Sequence, residues 1–299
     1  MTRQREGQTF DGASRLVRYV NFVKLPHTVF ALPFALVGAT LASFTSGVTV
    51  ATLAWIVLAF TAARFAAMGF NRIVDRQIDA RNPRTARREL PSGLLGVREA
   101  TVAVGLASAV FVFAAWRLNP LCAVLSPIAL GWVLWYSYTK RFTHWSHIVL
   151  GLGLAIAPVG GYLAVAGTWS VPWWMLIALA VGVSSWTAGF DILYSLQDEE
   201  FDRAEQLHSV PVMFGRRTSL AIARALHVIT IVALAAVGTA VPVGWLYAAG
   251  VCVAAALLLY EHSLVRGDDL SRLDAAFFTM NGVISLTFFG FVLAERLVR

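Results

Sequence analysis

Gly69-Phe70-Asn71-Arg72-Ile73-Val74-Asp75-Arg76-Gln77-Ile78-Asp79 is the stretch on which the reading of this chain turns. Asn71, Asp75 and Asp79 recur at four-residue spacing, directly after a long apolar run. On a helix that spacing stacks the three side chains on one face, turn above turn. Three oxygen-bearing side chains at the mouth of a membrane helix form a site for a hard divalent cation. Arg72, Arg76, Arg81, Arg84, Arg87 and Arg88 crowd the same region. A metal site beside a basic loop implies an anionic, phosphorylated ligand.

The apolar run before Asn71 belongs to a chain made largely of such runs. Of its 299 residues 58% are hydrophobic and 14% charged, and the mean hydropathy is +0.68. A soluble domain carries roughly a quarter of its residues as charges, so an all-α polytopic membrane protein is predicted. Apolar stretches of about 20 residues, enough to span a bilayer, fall at 23–44, 49–71, 97–116, 120–138, 146–166, 172–197, 218–238, 240–262 and 274–295. Residues 1–22 read as a polar, weakly amphipathic segment at the membrane surface, and 23–299 as a single transmembrane domain. Gly151, Gly153, Gly160 and Gly161 in the fifth span read as a surface for close helix packing.

Charge gives an orientation. The N-terminal segment and the loops after spans two, four, six and eight share one side, and that side holds nearly all the Lys and Arg residues. The other side keeps Arg117, Arg296 and Arg299. The positive-inside rule makes the crowded side cytoplasmic. The net charge of +7 is thus a topology signal, and with its basic residues in loops tied to membrane helices the chain has no nucleic-acid signature. Cys122 and Cys252 lie in apolar spans and read as packing residues.

A second acidic cluster closes the sixth span: Gly189-Phe190-Asp191-Ile192-Leu193-Tyr194-Ser195-Leu196-Gln197-Asp198-Glu199-Glu200-Phe201-Asp202. Gly-Phe-Asp echoes the Gly-Phe-Asn at 69–71, which points to a weak internal repeat. On a continuing helix Asp191, Asp198 and Asp202 share a face. Both clusters sit at cytoplasmic helix ends, and two facing carboxylate clusters repel unless cations lie between them. Solvated loop acids account for Glu199, Glu200 and Glu205. They do not account for Asn71, Asp75 and Asp191, which fall in the last turns of membrane helices, where ionisable groups are costly and functional. A transporter would place such groups near the bilayer midplane. Their clustering at one surface favours an enzyme with a cytosolic substrate.

These residues resemble the UbiA superfamily of intramembrane aromatic prenyltransferases. The resemblance is carried by Asn71-x-x-x-Asp75-x-x-x-Asp79 with Asp79-Ala80-Arg81-Asn82-Pro83-Arg84-Thr85, by Asp191-x-x-Tyr194-x-x-x-Asp198-x-x-x-Asp202, and by Lys140-Arg141-Phe142-Thr143. It extends to the His27-Thr28-x-Phe30-Ala31-Leu32-Pro33-Phe34-Ala35 segment and covers nearly the whole chain. The pattern is most similar to the 4-hydroxybenzoate polyprenyltransferase branch. Leu118-Asn119-Pro120-Leu121-Cys122 and Pro158-Val159-Gly160-Gly161 resemble its menaquinone-pathway members, usually called MqnP. Ser195 stands one turn after Asp191, so the Asp-x-x-x-Asp pair is carried by Asp198 and Asp202.

The resemblance implies nine transmembrane helices around a central cavity open to the cytoplasmic side of a bacterial inner membrane. It also implies Mg2+ bridging a polyprenyl diphosphate to the two acidic motifs. Asn71, Asp75 and Asp79 would serve one metal, and Asp191, Asp198 and Asp202 the other, with Asp75 and Asp191 at the catalytic centre. Arg84, Arg88 and Lys140 would add donors to the phosphate oxygens. The acceptor would be a hydroxylated aromatic acid of the 4-hydroxybenzoate or dihydroxynaphthoate type, its carboxylate held by the catalytic Arg141. Aromatic faces stabilise an allylic cation without capturing it, and the candidates are Phe30, Phe34, Phe70, Tyr136, Tyr138, Trp186 and Tyr194, with His27 at the pocket mouth. The prenyl tail would leave sideways into membrane lipid. Other branches, with haem O, chlorophyll or lipid acceptors, share the metal motifs and differ in the acceptor pocket.

Overall fold

The computed structural model describes residues 10, 14–24, 28–265, 273 and 279–299. Most of the predicted segment 1–22, His27 and the start of the predicted span 274–295 lie outside the described residues, as does the Phe30 side chain. The described chain is helical: α1 Arg15–Phe22, α2 Thr28–Ala42, α3 Val50–Arg81, α4 Val97–Leu118, α5 Pro120–Thr139, α6 Ser146–Ala166, α7 Trp174–Ser195, a 3-10 turn Leu196–Asp198, α8 Glu199–Ala204, α9 Val210–Ala240, α10 Trp245–Leu264 and α11 Asn281–Val298. Among the described residues eight helices are long and apolar enough to cross a membrane, and the shorter apolar α2 stands where the first span was expected. The protein is an integral membrane protein. In hydrocarbon a helix satisfies its own backbone polar groups, which is why each apolar run takes this form.

Two boundaries depart from the hydropathy reading. Helix α3 continues ten residues beyond the predicted end at 71, about 15 Å of helix. That extension carries Asp75 and Asp79 on the same rod as Asn71. Helix α9 begins at Val210, eight residues before the predicted span 218–238, because Ser209 caps it and Pro211 sits in its first turn. Gly215, with φ 74°, breaks the helical path inside it. In both cases capping and local chemistry, not hydropathy, set where the helix ends.

Helix α7 is innermost: 72% of its apolar window is buried, against 17–39% for the other seven long spans. It packs between α6 and α9, while α2 packs on α6 and α11, and α3 on α4. Small residues set these approaches, as expected where lipid supplies no hydrophobic drive between helices. A Cβ on Gly38 of α2 would overlap the Pro158 carbonyl of α6, and one on Gly161 of α6 would overlap the Ala35 carbonyl of α2. Gly151 meets the Ser184 backbone of α7 in the same way. Of the four glycines expected to pack closely, these are Gly151 and Gly161; Gly153 makes ordinary contacts and Gly160 faces open space.

The core behind the charged end is aromatic. Phe34 lies 4.8 Å from Trp186, and Trp186 stands edge-on to Phe190 at 4.8 Å. Phe34 and Trp186 are almost wholly buried and stack on each other there. Helix α1, capped by Ser14, buries Phe22 against Leu90, Leu95 and Ala100. Arg18 donates to the Leu94 carbonyl at 3.1 Å. This short helix therefore clasps the loop between α3 and α4.

Candidate active site

The extended end of α3 presents Asn71 and Asp75 toward α5, and Asp79 toward the loop that follows. Asn71 Nδ2 donates to Asp75 Oδ2 at 3.2 Å, as their one-turn spacing allows. Asp75 is buried and takes two cations from the end of α5: Lys140 Nζ on Oδ2 at 2.6 Å and Arg141 on Oδ1 at 2.9 Å. Arg141 also donates to the carbonyls of Ser137 and Val74 and lies over the Tyr138 ring. Asp79 is buried against Arg88 at 2.8 Å, and Thr85 donates to its carbonyl at 2.9 Å. A buried pair, Arg72 with Glu89 at 3.2 Å, ties the same loop to α3. The loop is thereby fixed, with Arg84 held across from α7.

The end of α7 is built otherwise. The helix stops at Ser195 and the chain tightens into the 3-10 turn before α8 restarts it. The one continuous face expected for Asp191, Asp198 and Asp202 is broken there, because a 3-10 turn has 3.0 residues per turn instead of 3.6. Asp198 consequently faces the α3 loop. Arg84 binds it at 2.5 Å and Asn82 donates to it at 3.2 Å. Arg84 also donates to the Tyr194 hydroxyl at 3.2 Å. Asp191 instead meets His147 of α6, Nδ1 to Oδ2 at 2.6 Å. Asp202 is hydrogen-bonded by Ser209 and lies in the field of Asp198, Lys140 and His147.

The two ends face each other. The Asn82–Asp198 and Arg84–Asp198 contacts join them on the loop side, Arg81–Glu205 at 2.7 Å joins them at the exposed edge, and the Tyr136 hydroxyl of α5 lies in the field of both Asp75 and Asp191. Burial and the neighbouring His208 ring lower the pKa of the His144 imidazole from its ordinary value. Among the described residues no three Asp, Glu, His or Cys side chains converge to hold a metal unaided. The donors are hard oxygens presented in ones and twos from the two helix ends. Such a set fits magnesium, which takes one or two carboxylates and completes its octahedron with phosphate oxygens and water.

The structure brings Asn71, Asp75, Lys140 and Arg141 together, and it joins Arg84 of the loop after α3 to Asp198 and Tyr194 at the end of α7. Asp79 is paired with Arg88 of the loop that follows α3. Phe70 and Tyr138 form an edge-on pair at 6.0 Å beside Arg141. Sequence reasoning missed His147 and Glu89. A histidine two residues into an apolar span was the available signal for the first. Nothing in the pattern marked Glu89 apart from its neighbours.

These features define a polytopic membrane protein with a charged, acid-lined site at one end of its helical bundle. The UbiA prenyltransferase family model matches residues 31–283, and the chain belongs to that family. It is thereby a prenyltransferase. The 4-hydroxybenzoate octaprenyltransferase of Sodalis glossinidius is 29% identical, covering 81% of this chain and 82% of that protein. That of Vibrio atlanticus is 30% identical over 76% and 78%. A UbiA homolog from Aeropyrum pernix superimposes with TM-score 0.82 at 30% identity, covering 90% of this chain and 98% of that one. An Archaeoglobus fulgidus UbiA homolog bound to DMAPP and Mg2+ shares the fold, with TM-score 0.72 at 20% identity, over 94% and 100%.

Proposed function

We propose that this enzyme transfers a polyprenyl group from a polyprenyl diphosphate to the ring of a hydroxylated aromatic acid, in quinone biosynthesis and specifically on the menaquinone route. The observation that carries the reading is the pair of acidic helix ends facing each other, interleaved with Arg84, Lys140 and Arg141. The 4-hydroxybenzoate octaprenyltransferases support the acceptor class, at about 30% identity over three-quarters or more of both chains. The active site faces the cytoplasm of a bacterial inner membrane, by the charge asymmetry of the loops.

Asn71, Asp75 and Asp79 on one side, and Asp191, Asp198 and Asp202 on the other, would hold Mg2+ on the diphosphate, with Asp79 also fixing the loop through Arg88. Bound there, magnesium supplies neutralisation of the negative charge that builds on the diphosphate as its C–O bond breaks. Arg84 and Lys140 exchange a carboxylate contact for phosphate oxygens, and Arg88 follows from its place beside Asp79. Phe70, Tyr138 and Tyr194 would stabilise the carbon that becomes positive through their π-faces, offering no strong nucleophile to trap it. Arg141 orients the acceptor carboxylate. The tail stays in lipid, since each methylene moved to water costs about 0.8 kcal/mol.

The test is turnover by purified protein, offered geranyl, farnesyl and longer diphosphates with 4-hydroxybenzoate or dihydroxynaphthoate-type acids, with and without EDTA. Prenylated aromatic acid is expected, abolished by EDTA and restored by excess Mg2+. Turnover that survives EDTA sinks the metal assignment. Transfer only to a porphyrin or glycerol-phosphate acceptor moves the enzyme to another branch of the family.

A further inference from the structure

The acids at the site differ in their partners. Asp75, Asp79 and Asp198 each hold a lysine or an arginine. Asp191 holds His147, its one hydrogen-bonding partner among the described residues. His147 is buried, at 4% exposure, two residues into α6, and it touches three elements at once. Its Nδ1 lies 2.6 Å from Asp191 Oδ2 on α7, and its Nε2 lies 3.4 Å from the backbone nitrogen of Val210, the first residue of α9. The Val210 N–H is one of the donors that a helix start leaves without an intrahelical partner. Nε2 accepts from it, so the ring proton sits on Nδ1 and is donated to Asp191.

We propose that His147 is the positioning residue for Asp191: it fixes one carboxylate oxygen by a hydrogen bond and leaves the second oxygen for a cation. The Val210 N–H sets the tautomer, in the manner of the groups that orient metal-binding side chains from behind. This inference rests on the proposed metal role of Asp191.

The experiment is Mn2+ binding, read by electron paramagnetic resonance, to the full-length protein in nanodiscs with a non-hydrolysable prenyl diphosphate present. Thermal unfolding is read alongside. His147→Leu removes both hydrogen bonds and is expected to weaken Mn2+ binding about 10- to 100-fold, the range for losing an orienting partner. His147→Gln offers an amide N–H to Asp191 and an oxygen to Val210, and is expected to stay within about threefold of the parent. In an Asp191→Asn background His147→Leu should cost no further Mn2+ affinity, an outcome that a role confined to packing would not produce. If His147→Leu does not fold, His147→Ala gives the same comparison. Unchanged Mn2+ affinity in the folded Leu or Ala variant overturns the proposal, as does an equal loss in the Asp191→Asn background. If the parent itself binds no Mn2+, the metal reading of Asp191 falls, and the role of His147 with it.

Discussion

The ends of α3 and α7 open alike, on Gly-Phe followed by Asn or Asp, and then diverge. In both, the glycine lets a neighbouring helix press in: Gly69 admits Val104 of α4 and Phe22 of α1, and Gly189 admits His227 of α9. Beyond that point α3 runs on as unbroken α-helix to Arg81, with Asp75 and Asp79 nearly sealed and set against Lys140, Arg141 and Arg88. Helix α7 stops, tightens and restarts. Its Asp191 side chain is 20% exposed, against 5% for Asp75, and meets an imidazole. One sequence signature therefore produces two electrostatic settings. The α3 end is a countercharged wall that also anchors its loop, and the α7 end keeps the more exposed acid.

The comparison breaks most visibly if both acids are neutralised in turn. Asp75→Asn and Asp191→Asn should each cut prenyl transfer by about a thousandfold, the scale of removing one preorganised electrostatic element at a reacting charge. They should differ in stability. Asp75→Asn strips two cations of a shared partner, whereas Asp191→Asn exchanges one hydrogen-bonded oxygen for an amide. The Asp75 variant is expected to unfold at the lower temperature in detergent, with both still eluting as folded protein. Near-normal turnover in either variant removes that acid from the site. A larger stability loss at Asp191 reverses the assignment of wall and open end.

A second break targets the loop anchor. Arg72→Met leaves the Glu89 carboxylate buried without that cation, and one-sided removal of a buried ion pair costs about 3–5 kcal/mol. Both side chains are under 10% exposed, so water offers little relief. A clear fall in the thermal midpoint is expected, with a drop in turnover because Arg84 rides on the same loop. By contrast, Arg203→Ala at the exposed i,i+4 pair with Glu199 should change stability by less than about 0.5 kcal/mol. An equal effect at the two positions would show that the loop is not held from beneath.

What was legible in the sequence follows from which forces act locally. Spans were readable because a bilayer demands about 20 apolar residues in a row. The Asn71-Asp75-Asp79 register was readable because α3 stays a regular helix. The 191–202 register was not, because the chain tightens into a 3-10 turn at 196–198 before α8 restarts it, and Asp198 lies against Arg84. Nor could spacing tell that Asp79 would pair with Arg88, or that Phe34 and Trp186 would stack on each other. His147 was missed for the same reason: its partner lies 44 residues away on another helix. Pairings across helices are set by the fold as a whole.

The finest test of the comparison between the two ends is Arg141. Its guanidinium reaches Asp75 Oδ1, Val74 O and Ser137 O while lying over Tyr138. Lys140 holds the other Asp75 oxygen. Removing Arg141 therefore leaves Asp75 with a cation and its place in α3, so the diphosphate side should survive. Arg141→Ala is expected to raise the acceptor KM about tenfold, equivalent to about 1.4 kcal/mol. The prenyl diphosphate KM should change by less than about threefold, since loss of a ground-state contact to one substrate shows in that substrate's KM. Arg141→Lys should recover only part of the loss, because an ammonium cannot grip a carboxylate with two parallel N–H groups. If the diphosphate KM rises instead, Arg141 belongs with Arg84 and Lys140, and the acceptor's carboxylate has its cation elsewhere.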